Sequence, residues 1–296
     1  MKYFFFLSFL LFSGSVFSQN KTELLKLQID SIFTETQGDF ALAFKDLSLE
    51  ERSVYINEHE NFHAASTMKT PVMIEVFNQA EAGQFSLGDS LFVKNGFKSI
   101  LDGSSFSLEL GRDSGEHLYS LIGKKRSIKD LIIDMISQSS NLATNILIEL
   151  VDAKNVNKSM RELGAKNINV LRGVEDMKAY EAGLSNSTTA YDLMLIFEAL
   201  AKGQAVNPRA DKQMLEILRL QQHTDLIPAL LPKEVEIANK TGWITGVHHD
   251  SALVKLADGR SYVVVLLSKN MEDMEAGTQM LAGISKIIYD LMINNP

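Results

Sequence analysis

The sequence predicts an α+β fold: a five-stranded antiparallel sheet flanked by helices, with an all-helical lobe inserted between its N-terminal and C-terminal strands. Three observations predict it. Two runs of β-type residues stand near the start of the chain and three more near its end. Between them, apolar residues recur at helical spacing, and the period changes only in the last quarter. At 296 residues and 45% hydrophobic, the chain can bury a large core as one domain or two closely packed lobes.

Residues 1–18 read as a targeting segment outside the fold. Lys2 supplies a positive start, Tyr3 to Phe12 form a short apolar stretch, and Val16 and Ser18 are the small residues before a cut ahead of Gln19. An N-terminal anchor is the other reading, but the stretch is too short to span a bilayer, and no later segment is long and apolar enough. A helix follows over 20–37, carrying Leu24, Leu25, Leu27, Ile29, Ile32 and Phe33. Phe40–Phe44 reads as a strand and Ser53–Ile56 as its hairpin partner. The next helix starts near Ser66 and runs through Val72, Ile74 and Phe77, with Gly83 and Gly88 after it. Residues 84–125 are glycine-bearing and irregular.

Ser127 is an N-cap for a helix with Leu131, Ile132, Met135 and Ile136. Asn141–Leu150 is a second helix, apolar on most sides. A short helix over 154–164 precedes an aperiodic stretch, 165–186. Thr188 and Thr189 cap a helix from Ala190 to Ala201, and Asp211–Leu220 forms another. Val235–Ala238, Ala252–Leu256 and Tyr262–Leu267 are the closing strands, the last two joined by an Asp258-Gly259 turn, and a helix ends near Met292. No repeat or low-complexity tract interrupts this order.

A net charge of −8 without a basic stripe argues against nucleic acid as a partner. There is no cysteine, so neither a disulfide nor a lipid-bearing thiol is available. A soluble periplasmic or secreted protein, acting as a monomer on a small molecule, is the expectation.

Chemistry concentrates in three places. Ser66-Thr67-Met68-Lys69 sets a hydroxyl and an amine three residues apart, hence on one face of a helix. Such a serine becomes a nucleophile when a desolvated or crowded lysine takes its proton. The pattern alone is weak, since Ser18-Gln19-Asn20-Lys21 also fits it. Pro71 suits the first turns after Ser66, whose free amides could serve half of an oxyanion hole. Ser139-Ser140-Asn141, at the break between two apolar helices, offers a hydroxyl to shuttle a proton and a carboxamide to hold a carbonyl. Lys240-Thr241-Gly242, at the end of a strand, offers a second cation to depress Lys69 and to bind a carboxylate. Its glycine would let a substrate approach the backbone, and the Trp243 amide would supply the other oxyanion donor. Taken singly, each has a plain structural reading: a helix cap, an inter-helix turn, a surface strand end.

Together and in this order, these motifs resemble those of the active-site serine penicillin-recognising enzymes, most of all class A β-lactamases. Met135–Asn145 resembles the family's helix-turn segment, and Val247–Val265 its final hairpin. The resemblance covers nearly the whole of residues 19–296. It implies a β-lactamase/transpeptidase-like fold, with an α/β part over about 19–62 and 205–296 and a helical part over about 63–204. It implies Ser66 as the acylated nucleophile and Lys69 as base or relay. Ser139 would return a proton to the leaving nitrogen, and Asn141 would bind the substrate amide. Lys240 and Thr241 would hold a carboxylate beside Gly242, and the Ser66 and Trp243 amides would bind the oxyanion. No metal or other cofactor is implied.

Two departures from that family stand out. Ser140 replaces the usual central aspartate of the second motif, so local hydrogen bonding should differ. In the loop Leu171–Asp176, Glu175 is the candidate base for freeing the acyl group, with Asp176 behind it, but Ala179 stands four residues on where an asparagine is usual. Arg172 could anchor this loop by an ion pair. The same acylation site would also serve a D-alanyl-D-alanine peptidase, an esterase, or a β-lactam-binding protein that stays acylated. His248, His249 and Asp250 do not make a metal site, because adjacent strand residues face opposite ways. His249 could line the substrate site. Met135, Met194 and Met280 read as core.

Overall fold

The computed structural model describes residues 7–49 and 52–294, with 7–20 as backbone only. The targeting segment read over 1–18 therefore lies partly outside the described residues; from Leu7 its backbone is helical. Among the described residues no helix is long and apolar enough to cross a membrane.

The sheet has five antiparallel strands: β1 (Asp39–Asp46), β2 (Ser53–Ile56), β3 (Glu236–Ile244), β4 (Val247–Lys255) and β5 (Ser261–Lys269), in the order β2-β1-β5-β4-β3. The chain's two ends meet where β1 pairs with β5, Leu42 opposite Leu266. Side chains alternate across the sheet. Ala41, Ala43, Val263, Val265 and Leu267 enter one core, and Phe40, Leu42, Phe44, Tyr262, Val264 and Leu266 the other. Because both faces are covered, these strands read as apolar runs rather than alternating patterns.

On one face lie α1 (Leu7–Glu35) and α9 (Met274–Asn294). Leu25, Ile29 and Phe33 form the buried stripe of α1, spaced one turn apart, whereas Leu24 and Leu27 face solvent. On the other face are α2 (Lys69–Glu81), α3 (Ile128–Ser137), α4 (Asn141–Val151), α5 (Ala153–Glu162), the short α6 (Met177–Glu181), α7 (Ala190–Lys202) and α8 (Pro208–Leu218). Ser127, Ser140, Thr189 and Asn207 each accept a backbone N–H at the start of α3, α4, α7 and α8. Asn207-Pro208 begins α8 before Asp211, the expected start, because proline suits the first helical position.

Two boundaries differ in ways that matter for the site. Residues 65–68 form a 3-10 turn, and the α-helix begins only at Lys69. With three residues per turn, that geometry still stacks Ser66 and Lys69 on one side. The third strand runs on from the expected Ala238 through Ile244, so Lys240-Thr241-Gly242 lies inside β3 rather than at its end. Its polar half had no apolar signal, yet it pairs residue for residue with the equally polar His248–Ser251 of β4.

Candidate active site

Ser66, Ser139, Asn141, Glu175, Thr241 and Trp243 line one cleft of about 990 Å³, at the top of the size range of small-molecule sites. Each arrives by a different route. Ser66 rides the 3-10 turn before α2, and Ser139 and Asn141 stand at the break between α3 and α4. Glu175 lies on the loop before α6, and Thr241 and Trp243 on β3, the edge strand, which leaves one row of backbone groups unpaired.

Lys69 and Lys240 sit behind this lining, both fully buried. The Lys69 ammonium donates to the Ser139 carbonyl at 2.6 Å, to Ser139 Oγ at 3.1 Å and to Asn141 Oδ1 at 3.0 Å. Lys240 donates to the same Ser139 Oγ at 3.1 Å and to its neighbour's carbonyl, Thr241 O, at 2.9 Å. Among the described residues no partner hydrogen-bonds the Ser66 hydroxyl, so its oxygen is free toward the cleft. Burial lowers Lys69 to about 7, against the opposing pull of Asp113 and Glu175. Burial also drives Lys240 well below an ordinary lysine, assisted by repulsion from Lys69 and opposed by Asp250. The second cation was expected to depress Lys69. Loss of solvent is instead the first cause at both amines.

Backbone strain collects here. Among the described residues six non-glycine residues have positive φ, and three belong to this site: Ala65 at 44°, Ser139 at 62° and Glu175 at 63°. Such conformations persist where the surroundings over-determine them. Gly242 shows how tightly β3 meets the Ser66 turn. A Cβ there would lie 3.0 Å from the Ser66 nitrogen and 3.2 Å from that of Thr67. The side of Gly242 where a Cβ would stand is thus taken up by the nucleophile's own turn.

The loop before α6 is held by hydrogen bonds to carbonyls rather than by the expected ion pair. Arg172 donates to Leu184 O and Gly173 O and lies over the Tyr180 ring, and among the described residues it makes no ion pair. Asn145, buried in α4, clamps Val174: its Oδ1 accepts from the Val174 amide at 2.6 Å, and its Nδ2 donates to the Val174 carbonyl at 2.9 Å. Glu175 then faces the cleft, Oε1 accepting from Asn141 Nδ2 at 3.3 Å and Oε2 from the Glu109 amide at 3.1 Å. Asp176 turns inward instead, capping α6 and accepting from the Ile100 amide. Ala179 is fully buried.

His249 does not line the cleft. It is fully buried, its Nε2 meeting the His63 carbonyl at 2.9 Å and its Nδ1 accepting from the Ser268 amide, and burial lowers it to about 4. Its neighbour His248 lines the cleft instead, with Nδ1 2.8 Å from Thr278 Oγ1. The two rings face opposite ways, as strand geometry requires. His63, Arg112, Tyr180 and His223 also line the cleft, and nothing in their sequence surroundings marks them.

A family model described as the beta-lactamase enzyme family matches residues 24–292. Beta-lactamase VEB-1 of Pseudomonas aeruginosa is 22% identical over 296 residues, covering 96% of this chain and 95% of that protein. A beta-lactamase from Sphaerobacter thermophilus superposes with a TM-score of 0.72 at 26% identity, covering 87% of this chain and 93% of that one. A mutant of PBP-A, in an acyl-enzyme complex with penicillin G, superposes with a TM-score of 0.78 at 25% identity, covering 92% of this chain and 97% of its own.

Proposed function

Because the chain belongs to the beta-lactamase enzyme family, we propose that it is a class A-like serine β-lactamase, opening the lactam amide through an acyl-enzyme on Ser66. The observation that carries this reading is the shared hydroxyl. Two buried amines, Lys69 and Lys240, both donate to Ser139 Oγ, in a cleft that also holds Ser66 and Glu175.

The steps follow from the groups present. Neutral Lys69 takes the Ser66 proton as Oγ attacks the lactam carbonyl. The oxyanion settles on the amides of Ser66 and Trp243, where one such donor is worth roughly 3 kcal/mol. As the C–N bond breaks, the nitrogen takes the Ser139 proton, and the Lys69 ammonium replaces it. Asn141 binds the substrate amide. Thr241 receives its carboxylate, with Lys240 behind it as the source of positive field. Glu175 then takes a proton from water as its oxygen attacks the acyl carbon; the ester C–O bond breaks, and the departing Ser66 Oγ takes back a proton that Glu175 gives up, so both groups return to their starting states. Asp176, committed to its cap, is not that base. Residues 1–18 are removed on export, so the mature enzyme acts as a periplasmic or secreted monomer, with an α/β part over about 19–62 and 205–296 and a helical part over about 63–204.

One observation favours a second reading, in which acylation is fast and release slow, as in a peptidase. Ala179, four residues after Glu175, stands where the family usually carries an asparagine, and its buried methyl can make no side-chain hydrogen bond. Incubation with a chromogenic cephalosporin, read by colour and by intact mass, separates the two. Turnover with no lasting adduct supports the lactamase, a stable adduct on Ser66 supports the second reading, and no reaction refutes both. Glu175→Gln should acylate normally but accumulate the adduct. Unchanged turnover in that variant would remove Glu175 from the mechanism.

A further inference from the structure

Asp113 belongs to the irregular stretch after α2, far in sequence from all three motifs, and the mechanism above does not use it. Its side chain is buried, and among the described residues it makes no ion pair. A lone buried carboxylate is costly unless its oxygens are satisfied. Here they are: Oδ1 accepts from the amides of Gly115 at 2.8 Å and Asn141 at 2.9 Å, and Oδ2 from the Leu142 amide at 2.8 Å. Oδ2 also accepts the Tyr119 hydroxyl at 3.2 Å and the Ser140 hydroxyl at 3.4 Å.

Two of those amides, of Asn141 and Leu142, open α4, so the plain reading is a helix cap. It is not sufficient. The helix already has its cap in Ser140 Oγ, which accepts from the Ala143 amide at 3.2 Å. The amide that Asp113 holds at Asn141 belongs to a residue whose side chain meets Lys69. Ser139, two residues before, keeps its strained φ of 62° and offers both its carbonyl and its hydroxyl to Lys69. The segment carrying Asp113 is also pressed onto the turn, since a Cβ at Gly115 would stand 2.4 Å from that of Ser140. A serine at 140 cannot supply negative charge here, and Asp113 brings it from outside.

We propose that Asp113 is the positioning residue of the proton-relay turn: its carboxylate takes the place of an aspartate at 140 and fixes Ser139 and Asn141 against Lys69. The inference rests on the serine-hydrolase reading and specifies which carboxylate orders its relay.

Relocating the charge tests it. Acylation rates with a chromogenic cephalosporin are measured for wild type, Asp113→Asn, Ser140→Asp and the double variant, at a temperature well below each melting midpoint. Asp113→Asn keeps the size but loses the charge, and should acylate at least about tenfold more slowly. Ser140→Asp alone sets two carboxylates together and should also be slow. The double variant returns one carboxylate to the turn and should recover to within about threefold of wild type. A mere cap predicts otherwise: shifted melting midpoints, an unchanged acylation rate in Asp113→Asn, and no rescue. Either of the last two results overturns the proposal. Should Asp113→Asn fail to fold, the double variant set against wild type decides: recovery to within about threefold of wild type supports relocation, whereas a rate that rises above that of Ser140→Asp but stays about tenfold below wild type reflects relief of repulsion only and overturns the proposal. Wild type inert to the cephalosporin would instead refute the hydrolase reading itself.

Discussion

Lys69 is the residue on which the chemistry turns, and its environment sets the working pH. An ordinary lysine at neutral pH is a cation with no lone pair to offer. Complete burial lowers this one to about 7, so near neutrality a large share is free base. The sign is fixed by the role. Acylation requires the unprotonated amine, so its rate should climb as pH rises toward 7 and level off above it. Pre-steady-state acylation rates between about pH 5 and 9 check this, and a flat profile across pH 7 would take the base away from Lys69. Ser66 and Lys69 could be set on one side of a turn from their spacing, and it was the order of the three motifs that singled them out and joined Ser139 to them. Asp113 could not, because an aspartate in an aperiodic stretch signals a turn and says nothing about its distant partner.

At the scale of elements, the decisive contact is between β3 and the turn that carries Ser66. Both lie where local signals fade. The polar second half of β3 has no apolar pattern, and the turn is 3-10 rather than α. A Cβ at Gly242 would meet the Ser66 and Thr67 nitrogens and the Ala65 Cβ, none of which can swing aside. Gly242→Ala should therefore displace the Ser66 and Thr67 amides and lower kcat for the proposed reaction by about tenfold to a hundredfold, with KM changed less. Steady-state kinetics on the cephalosporin measure this, and a wild-type kcat would mean that the turn yields without cost. Neighbouring Ala65, whose Cβ would stand 3.1 Å from a Cβ at 242, holds a positive φ of 44°.

At the scale of the molecule, the sheet separates two cores, and only one supports the cleft. Phe44 lies in the other, fully buried, its ring 5.7 Å from that of Tyr262. Phe44→Ala should cost about 3–5 kcal/mol and lower the melting midpoint by about 10 °C, while kcat well below that midpoint stays unchanged. Thermal melts paired with kinetics check both halves. The elements themselves were legible in the chain: apolar runs at Phe40–Phe44 and Tyr262–Leu267, helical stripes between them, and capping residues such as Ser127 and Thr189. So were the fold class and the family, because periodicity and motif order are properties of neighbours along a chain. What only the tertiary structure decided was which polar groups meet: Asp113 at the start of α4, Glu175 rather than Asp176 toward the cleft, His248 rather than His249 beside it, Arg172 on carbonyls instead of an acid. Those choices depend on loop conformation and strand register, where one residue's shift turns a side chain to the other face, and neither is encoded in spacing.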